Sequence, residues 1–154
     1  MNFYRPICTL LLVIVLAGCA QAETPTAMSL ALACTPDAEV EFLRRPLVVE
    51  GYLVLEFNVL CASDPEGVLR CGLTLADAAN PTDDGTRMVV QFVQGASANQ
   101  IEEVERRDTL DDIIIRDADG ARIDMRQPVQ VTGRALTTAS ACSMLVSEIR
   151  QASD

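Results

Sequence analysis

Residues 47–60 read LVVEGYLVLEFNVL, a long run of β-branched, aromatic and other apolar residues with isolated polar residues at Glu50, Glu56 and Asn58. This composition is typical of a β-strand, and the embedded glutamates argue against a membrane span. Fourteen residues is long for one strand, and a glycine inside a strand favours a bend or a bulge. The run therefore predicts a long first strand that bends at Gly51.

A second stretch echoes the first, because Val129-Gln-Val-Thr-Gly133 repeats the apolar-x-Val-x-Gly pattern of Leu47-Val-Val-Glu-Gly51. β-forming residues bounded by turn formers predict further strands. These strands cover Leu69–Ala76, Met88–Val93, Pro128–Leu136 and Cys142–Ile149.

Two smaller elements are predicted between the third strand and the last two. Asn99–Leu110 has spaced apolar residues, an acidic start and a basic middle, which suit a short helix and its dipole. The turn sequence Asp117-Ala-Asp-Gly120 predicts a small hairpin that joins Ile113–Arg116 to Arg122–Met125.

This order of elements resembles the OB-fold, a five-stranded Greek-key barrel whose first strand bends to serve both sheets. The resemblance covers about residues 46–149 and rests on the element order and the glycine positions. It implies a mainly β protein, a small five-stranded OB-like Greek-key barrel with one short helix; a β-sandwich is the alternative. Residues 19–45 are then a tether and N-terminal arm, and 150–154 a tail.

The N-terminus has the organisation of an export signal. Arg5 provides a positive start, and the apolar run Ile7–Leu16 is too short to cross a bilayer as a helix. Leu16-Ala17-Gly18-Cys19 resembles the lipobox of bacterial lipoproteins. The resemblance implies a signal peptide over 1–18 and acyl chains (palmitate among them) on Cys19, which together anchor stably.

Residues after the lipobox suggest where the protein resides. Ala20 rather than Asp follows Cys19, and in lipoproteins of Gram-negative bacteria this favours the outer membrane, with the protein facing the periplasm. The alternative is ordinary secretion, because Ala20-Gln21-Ala22 fits the small-x-small signal of the general signal peptidase. Cleavage before Glu23 would release a soluble periplasmic protein.

Four cysteines remain once Cys8 leaves with the signal and Cys19 carries lipid, and an even number in an exported protein indicates two disulfides. Four cysteines allow three connectivities. Cys61 and Cys71 flank a turn-rich stretch at the facing ends of two predicted strands, so that pair closes a small loop, and Cys34 then pairs with Cys142. A redox pair at Cys61 and Cys71 is the functional alternative.

Composition excludes several classes of chemistry. The chain has no His and no Lys, so imidazole catalysis, His-ligated metal sites and the usual serine-activating bases are excluded. The net charge of −10 opposes nucleic acid. Asp117-Ala-Asp119-Gly120 starts like a calcium loop, but a tight turn is the preferred interpretation because the anchoring carboxylates of an EF-hand are missing. No catalytic residue, metal site or cofactor is predicted.

The sequence thus predicts a lipid-anchored envelope protein that acts as a non-enzymatic binding or assembly module. OB-like barrels usually bind across their second and third strands, here about Leu69–Ala76 and Met88–Val93, and the scarcity of aromatic residues favours a protein or peptide partner. Arg44-Arg45 pairs with nearby acids or, alternatively, contacts a lipid head group. The competing function is a soluble periplasmic enzyme, or a thiol–disulfide protein that uses Cys61 and Cys71.

Overall fold

The computed structural model describes residues 24–38, 45–55, 60–93, 100–102, 112–138 and 141–152. The predicted signal peptide and the lipidation residue Cys19 lie outside them. A short helix, α1, spans Leu30–Ala33. The strands are β1 Thr26–Met28, β2 Leu47–Val54, β3 Leu60–Ser63, β4 Leu69–Ala76, β5 Arg87–Val93, β6 Gln100–Ile101, β7 Ile115–Arg116, β8 Val129–Thr138 and β9 Ala141–Gln151.

Five of these strands close into a barrel. Neighbours follow the order β2-β8-β9-β5-β4, and β4 pairs back onto β2. All neighbouring pairs are antiparallel except β5 and β9, which are parallel. The mainly β, OB-like barrel predicted from the sequence is therefore confirmed, with β1 and β3 as extra strands.

The bend predicted at Gly51 is where β2 changes partner. Residues Leu47–Gly51 pair with β8, and Tyr52–Val54 pair with β4. A Cβ atom at position 51 would lie 2.6 Å from the carbonyl oxygen of Ala76. The close approach of two strands at this corner therefore requires glycine.

The two echoing stretches pair with each other. Leu47 lies opposite Gly133 and Gly51 lies opposite Val129, so the segments run antiparallel over their whole length. Gly133 also sits at a register shift between β8 and β9, where a Cβ atom would overlap the carbonyl oxygen of Leu145. Each glycine thus marks a point where the barrel wall turns sharply.

Three expectations need correction. The predicted strand 47–60 stops after Val54 and resumes at Leu60 as β3, with 56–59 outside the described residues. The predicted helix 99–110 is wrong at its start, because residues 100–101 form β6; residues 103–110 lie outside the described part. The predicted hairpin forms but is shorter than expected. Its arms meet at one bridge, Arg116 with Arg122, the Ile123 N–H donates to the Ile115 carbonyl oxygen at 2.9 Å, and β7 also pairs with β6.

That last pairing has a packing reason. Ile101 of β6 and Ile115 of β7 are both buried in the core cluster, at 2% and 0% exposure. Pairing the two strands places both apolar side chains against the barrel. Burial thus gives β7 a second partner, β6, in addition to the local turn.

The N-terminal arm is part of the packed unit. β1 lies parallel to β2, with Thr26 opposite Leu47, although residues up to Met28 have the polar composition of a tether. Ser29 caps α1 by accepting a hydrogen bond from the Leu32 N–H. Burial of Leu30 and Ala33 then places α1 against the same core as the barrel strands.

Candidate functional site

The structure contains two disulfides, Cys34–Cys142 and Cys61–Cys71, the pairing that the strand positions favour. Cys61 and Cys71 face each other directly across β3 and β4. Cys71 is 1% exposed and belongs to the core. Exchange chemistry requires a sulfur that an incoming thiolate can reach. The burial of Cys71 closes one side of the bond to such attack, whereas Cys61 is half-buried.

The acidic turn at Asp117 satisfies its own hydrogen bonds. The Asp117 carboxylate accepts hydrogen bonds from the backbone N–H groups of Asp119 and Ala121, at 3.0 and 2.8 Å, and Gly120 has φ of +82°. The adjacent space of about 350 Å³ is also lined by the cationic Arg150. Within the described ranges, no group of residues could hold a metal ion.

A second carboxylate, Asp64, organises the loop between β3 and β4. The pKa of Asp64 is lowered below its ordinary 3.8, mainly by the backbone hydrogen bond from Val68. Desolvation, the second cause, raises this pKa, and the hydrogen bond and charge of Arg70 lower it further. The Nη2 atom of Arg70 lies 3.2 Å from the Oδ2 atom of Asp64. The Asp64 carboxylate is already bonded within its own loop, so it is not available as a general acid or base.

The face expected to bind ligands, on β4 and β5, presents mainly polar or small groups. Arg70, Gly72 and Thr74 alternate outward along β4, and Val89 and Gln91 do so along β5. Among these residues, Val89 is the single large apolar side chain exposed to solvent. The sheet face itself therefore lacks a concave apolar site.

A concave site lies instead beside the second half of β2. An open cavity of about 570 Å³ is bounded by β2, by the loop that follows β4 and by the segment that precedes β8. Its apolar lining includes Leu53, Val54 and Met125, which are at most 8% exposed. Its size falls within the usual range for ligand sites.

Polar groups at the cavity are suited to recognition. Tyr52, Asn80 and Arg126 line it, and in the described part of the chain the side chains of Tyr52 and Asn80 make no hydrogen bond. A phenol, a carboxamide and a guanidinium can donate hydrogen bonds to a ligand. They provide no evident nucleophile with an activating base, so the arrangement favours binding over catalysis.

Sequence reasoning did not identify this cavity. Asn80-Pro81 lies in a stretch dense in turn formers and was interpreted only as a loop. The available signal was Tyr52 directly after the bending glycine, because a strand that bends at a barrel corner leaves space beside it. The segment before β8 had no such signal.

No protein-family model matches this chain, and no curated protein is significantly similar to it. Among the helices of the described residues, none is both long enough and apolar enough to cross a bilayer.

Proposed function

We propose that this protein is a lipid-anchored component of the cell envelope, held at the outer membrane through Cys19 and facing the periplasm. In this proposal the barrel is a non-enzymatic binding or assembly module. The lipobox residues 16–19 support the anchor. The two disulfides are compatible with an oxidising compartment such as the periplasm.

The observation that carries the binding role is the cavity beside β2. Its buried apolar lining suits a side chain such as Leu or Phe, and the unbonded Tyr52 and Asn80 suit the polar backbone of a peptide. The site is therefore proposed to receive an apolar side chain of a partner protein, with its flanking main chain. The acidic chain makes nucleic acid a poor alternative partner.

The anchor is tested by the intact mass of protein purified from its native membrane, after free thiols are alkylated without reduction. We expect acyl mass on Cys19 and no alkylation. A chain that starts at Glu23 would make the protein soluble and periplasmic. Alkylation of Cys61 and Cys71 would restore the thiol–disulfide interpretation.

The binding role is tested with a photo-crosslinking amino acid placed at Asn80 in living cells. We expect one discrete crosslinked product, and we expect Ala79→Phe, which fills the cavity from an exposed lining position, to abolish it. The matched control is Ala118→Phe in the acidic turn, which leaves the cavity unchanged. A product that survives Ala79→Phe would refute the cavity as the binding site.

A further inference from the structure

The exposed large hydrophobic residues of the described ranges gather at one end of the barrel. Leu32 is 58% exposed, Leu136 56%, Leu145 45% and Val89 43%. We call these four residues the apolar surface. They lie on α1, β8, β9 and β5, and single exposed residues of this kind need no explanation, whereas a cluster indicates an interaction site.

Strand register places three of them side by side. Leu136 and Val89 both lie opposite Ser143, from the two strands that flank β9. Leu145 is the next outward residue after Ser143 on β9. These are the spacings at which side chains on one face of a sheet contact each other.

The helix α1 brings Leu32 to the same end. Thr137, next to Leu136, donates a hydrogen bond of 3.3 Å to the carbonyl oxygen of Ala33. Cys34 is bonded to Cys142, next to Ser143. The apolar surface is therefore built partly from the N-terminal arm and held in place covalently.

The N-terminal arm also joins the barrel at this end, through the pairing of β1 with β2. Thr26 pairs with Leu47, which pairs with Gly133, so Thr26 lies two strand spacings, roughly 10 Å, from β8. Cys19 lies seven residues before Thr26, and a fully extended chain of that length reaches at most about 25 Å. A lipid on Cys19 would hold this end close to the bilayer.

The positively charged side chains beside the apolar surface favour contact with phosphate groups. Of the arginines in the described ranges, Arg45 and Arg134 are the two whose side chains make no hydrogen bond or ion pair, and both are exposed. Arg134 lies directly opposite Leu145. Arg45 precedes Pro46, whose carbonyl oxygen accepts the Thr26 N–H at 3.0 Å, at the point of chain entry.

Carboxylates are absent from the outward strand positions around the apolar surface. The outward neighbours are Gln91, Arg134 and Ser143. The acids at this end lie off those strand positions. Among the described residues, they are Asp77, Asp83 and Asp84 in the loop before β5 and Asp37 after α1. The whole chain is acidic, with 22 acids and 12 arginines. This patch, which combines aliphatic side chains with unpaired cations, therefore has a charge opposite to that of the chain as a whole.

We infer that this end of the barrel rests on the phospholipid surface, with the apolar surface in the interface and Arg45 and Arg134 on lipid phosphates. The inference rests on the anchor of the proposed function. Apolar insertion and attraction to anionic lipid add in such contacts. Because the acyl chains provide residence at the membrane, the contact only has to orient the barrel.

Because the chain contains no Trp, the fluorescence of a single introduced Trp reports only on the surroundings of that residue. The lipidated full-length variants Leu136→Trp and Leu145→Trp are reconstituted in vesicles of phosphatidylethanolamine and phosphatidylglycerol. We expect a blue-shifted emission that brominated acyl chains quench and aqueous iodide does not. The matched control, Ala118→Trp, lies beside Arg150 near the far end of β9, and its emission stays red and iodide-accessible.

Each outcome decides between the proposals. Iodide-accessible Trp at both test positions, with acyl mass present on Cys19, overturns the membrane contact and leaves the anchor intact. Absence of acyl mass overturns the anchor and the contact together. Shielding of Trp in native membranes but not in pure vesicles means that a protein covers the apolar surface, and this also overturns the inference.

Discussion

The bond between Cys34 and Cys142 is predicted to stabilise the fold more than the bond between Cys61 and Cys71, because it closes a much longer loop. The sequence separations are 108 and 10 residues. The chain-entropy relation gives about 4.8 kcal/mol for the long loop and about 2.7 kcal/mol for the short one at 25 °C. The expected difference, about 2 kcal/mol, is a large fraction of the free energy of unfolding of a small domain.

Simple removal of each cysteine pair would mix loop entropy with packing, because Cys71 is buried and Cys61 only half-buried. A cleaner comparison keeps the two cysteines of the bond under test and replaces the two cysteines of the other bond. Cys61→Ala with Cys71→Ala leaves the long-loop bond alone, and Cys34→Ala with Cys142→Ala leaves the short-loop bond alone. Each double variant is then unfolded in urea in its oxidised and its reduced form.

The oxidised-minus-reduced difference in the free energy of unfolding isolates each bond. We expect the difference to be larger in the variant that retains Cys34 and Cys142, with circular dichroism showing the same β content in both oxidised forms. Equal differences, or a larger one for the short loop, would refute the loop-entropy argument.

Three further predictions concern single residues. Gly133→Ala should lower the free energy of unfolding by about 1–3 kcal/mol in urea titration, because the added Cβ overlaps backbone; a neutral result would contradict the tight bulge. Phe92→Ala, at a fully buried position, should cost about 3–5 kcal/mol, whereas Val89→Ala on the exposed face of the same strand should stay within about 0.5 kcal/mol. Asp64→Asn should be less stable than the natural protein at pH 7, because the folded pKa of Asp64 is lowered. That difference should begin to shrink as the pH falls below 3.8 and should vanish once the pH is below the lowered folded pKa; urea midpoints that do not converge would contradict it.

The barrel strands were predictable from their β-forming residues, with glycines as a second signal in β2 and β8. β-forming residues marked Leu69–Ala76 in the sequence and the structure has the same bounds. Glycines marked the corners, since a barrel that closes must let one strand serve two neighbours. The disulfide pairing followed from the same strand positions, because residues at the facing ends of two adjacent strands lie close enough to bond.

What could not be predicted depends on tertiary contacts. β1 consists of Thr26, Ala27 and Met28, a segment without a strand pattern that pairs because its neighbour on β2 has an open edge. The Ile101–Ile115 pairing likewise follows from burial of both side chains. The cavity is formed by three segments distant in sequence, so no local pattern contained it.

The apolar surface was hidden from sequence reasoning for a different reason. In β9, Met144, Val146 and Ile149 are buried while Leu145 is exposed, so apolar residues occupy both faces of one strand. Such a strand gives no period-2 alternation from which the inward face can be read. Leu145 can be assigned to the solvent side only from the structure, where the pairing of β8 with β9 places it opposite the exposed Arg134.

The Cys34–Cys142 bond links the stability of the fold to the proposed orientation at the membrane. Without it, α1 would be held by the burial of Leu30 and Ala33, by the pairing of β1 with β2 directly before it and by the hydrogen bond from Thr137. The bond fixes α1 against the start of β9, and thereby fixes Leu32 relative to Leu136 on the neighbouring strand. A reduced protein should therefore keep its lipid anchor but lose the fixed geometry of the apolar surface. Iodide quenching of Leu136→Trp should then rise on reduction even where the barrel stays folded, which separates orientation from attachment.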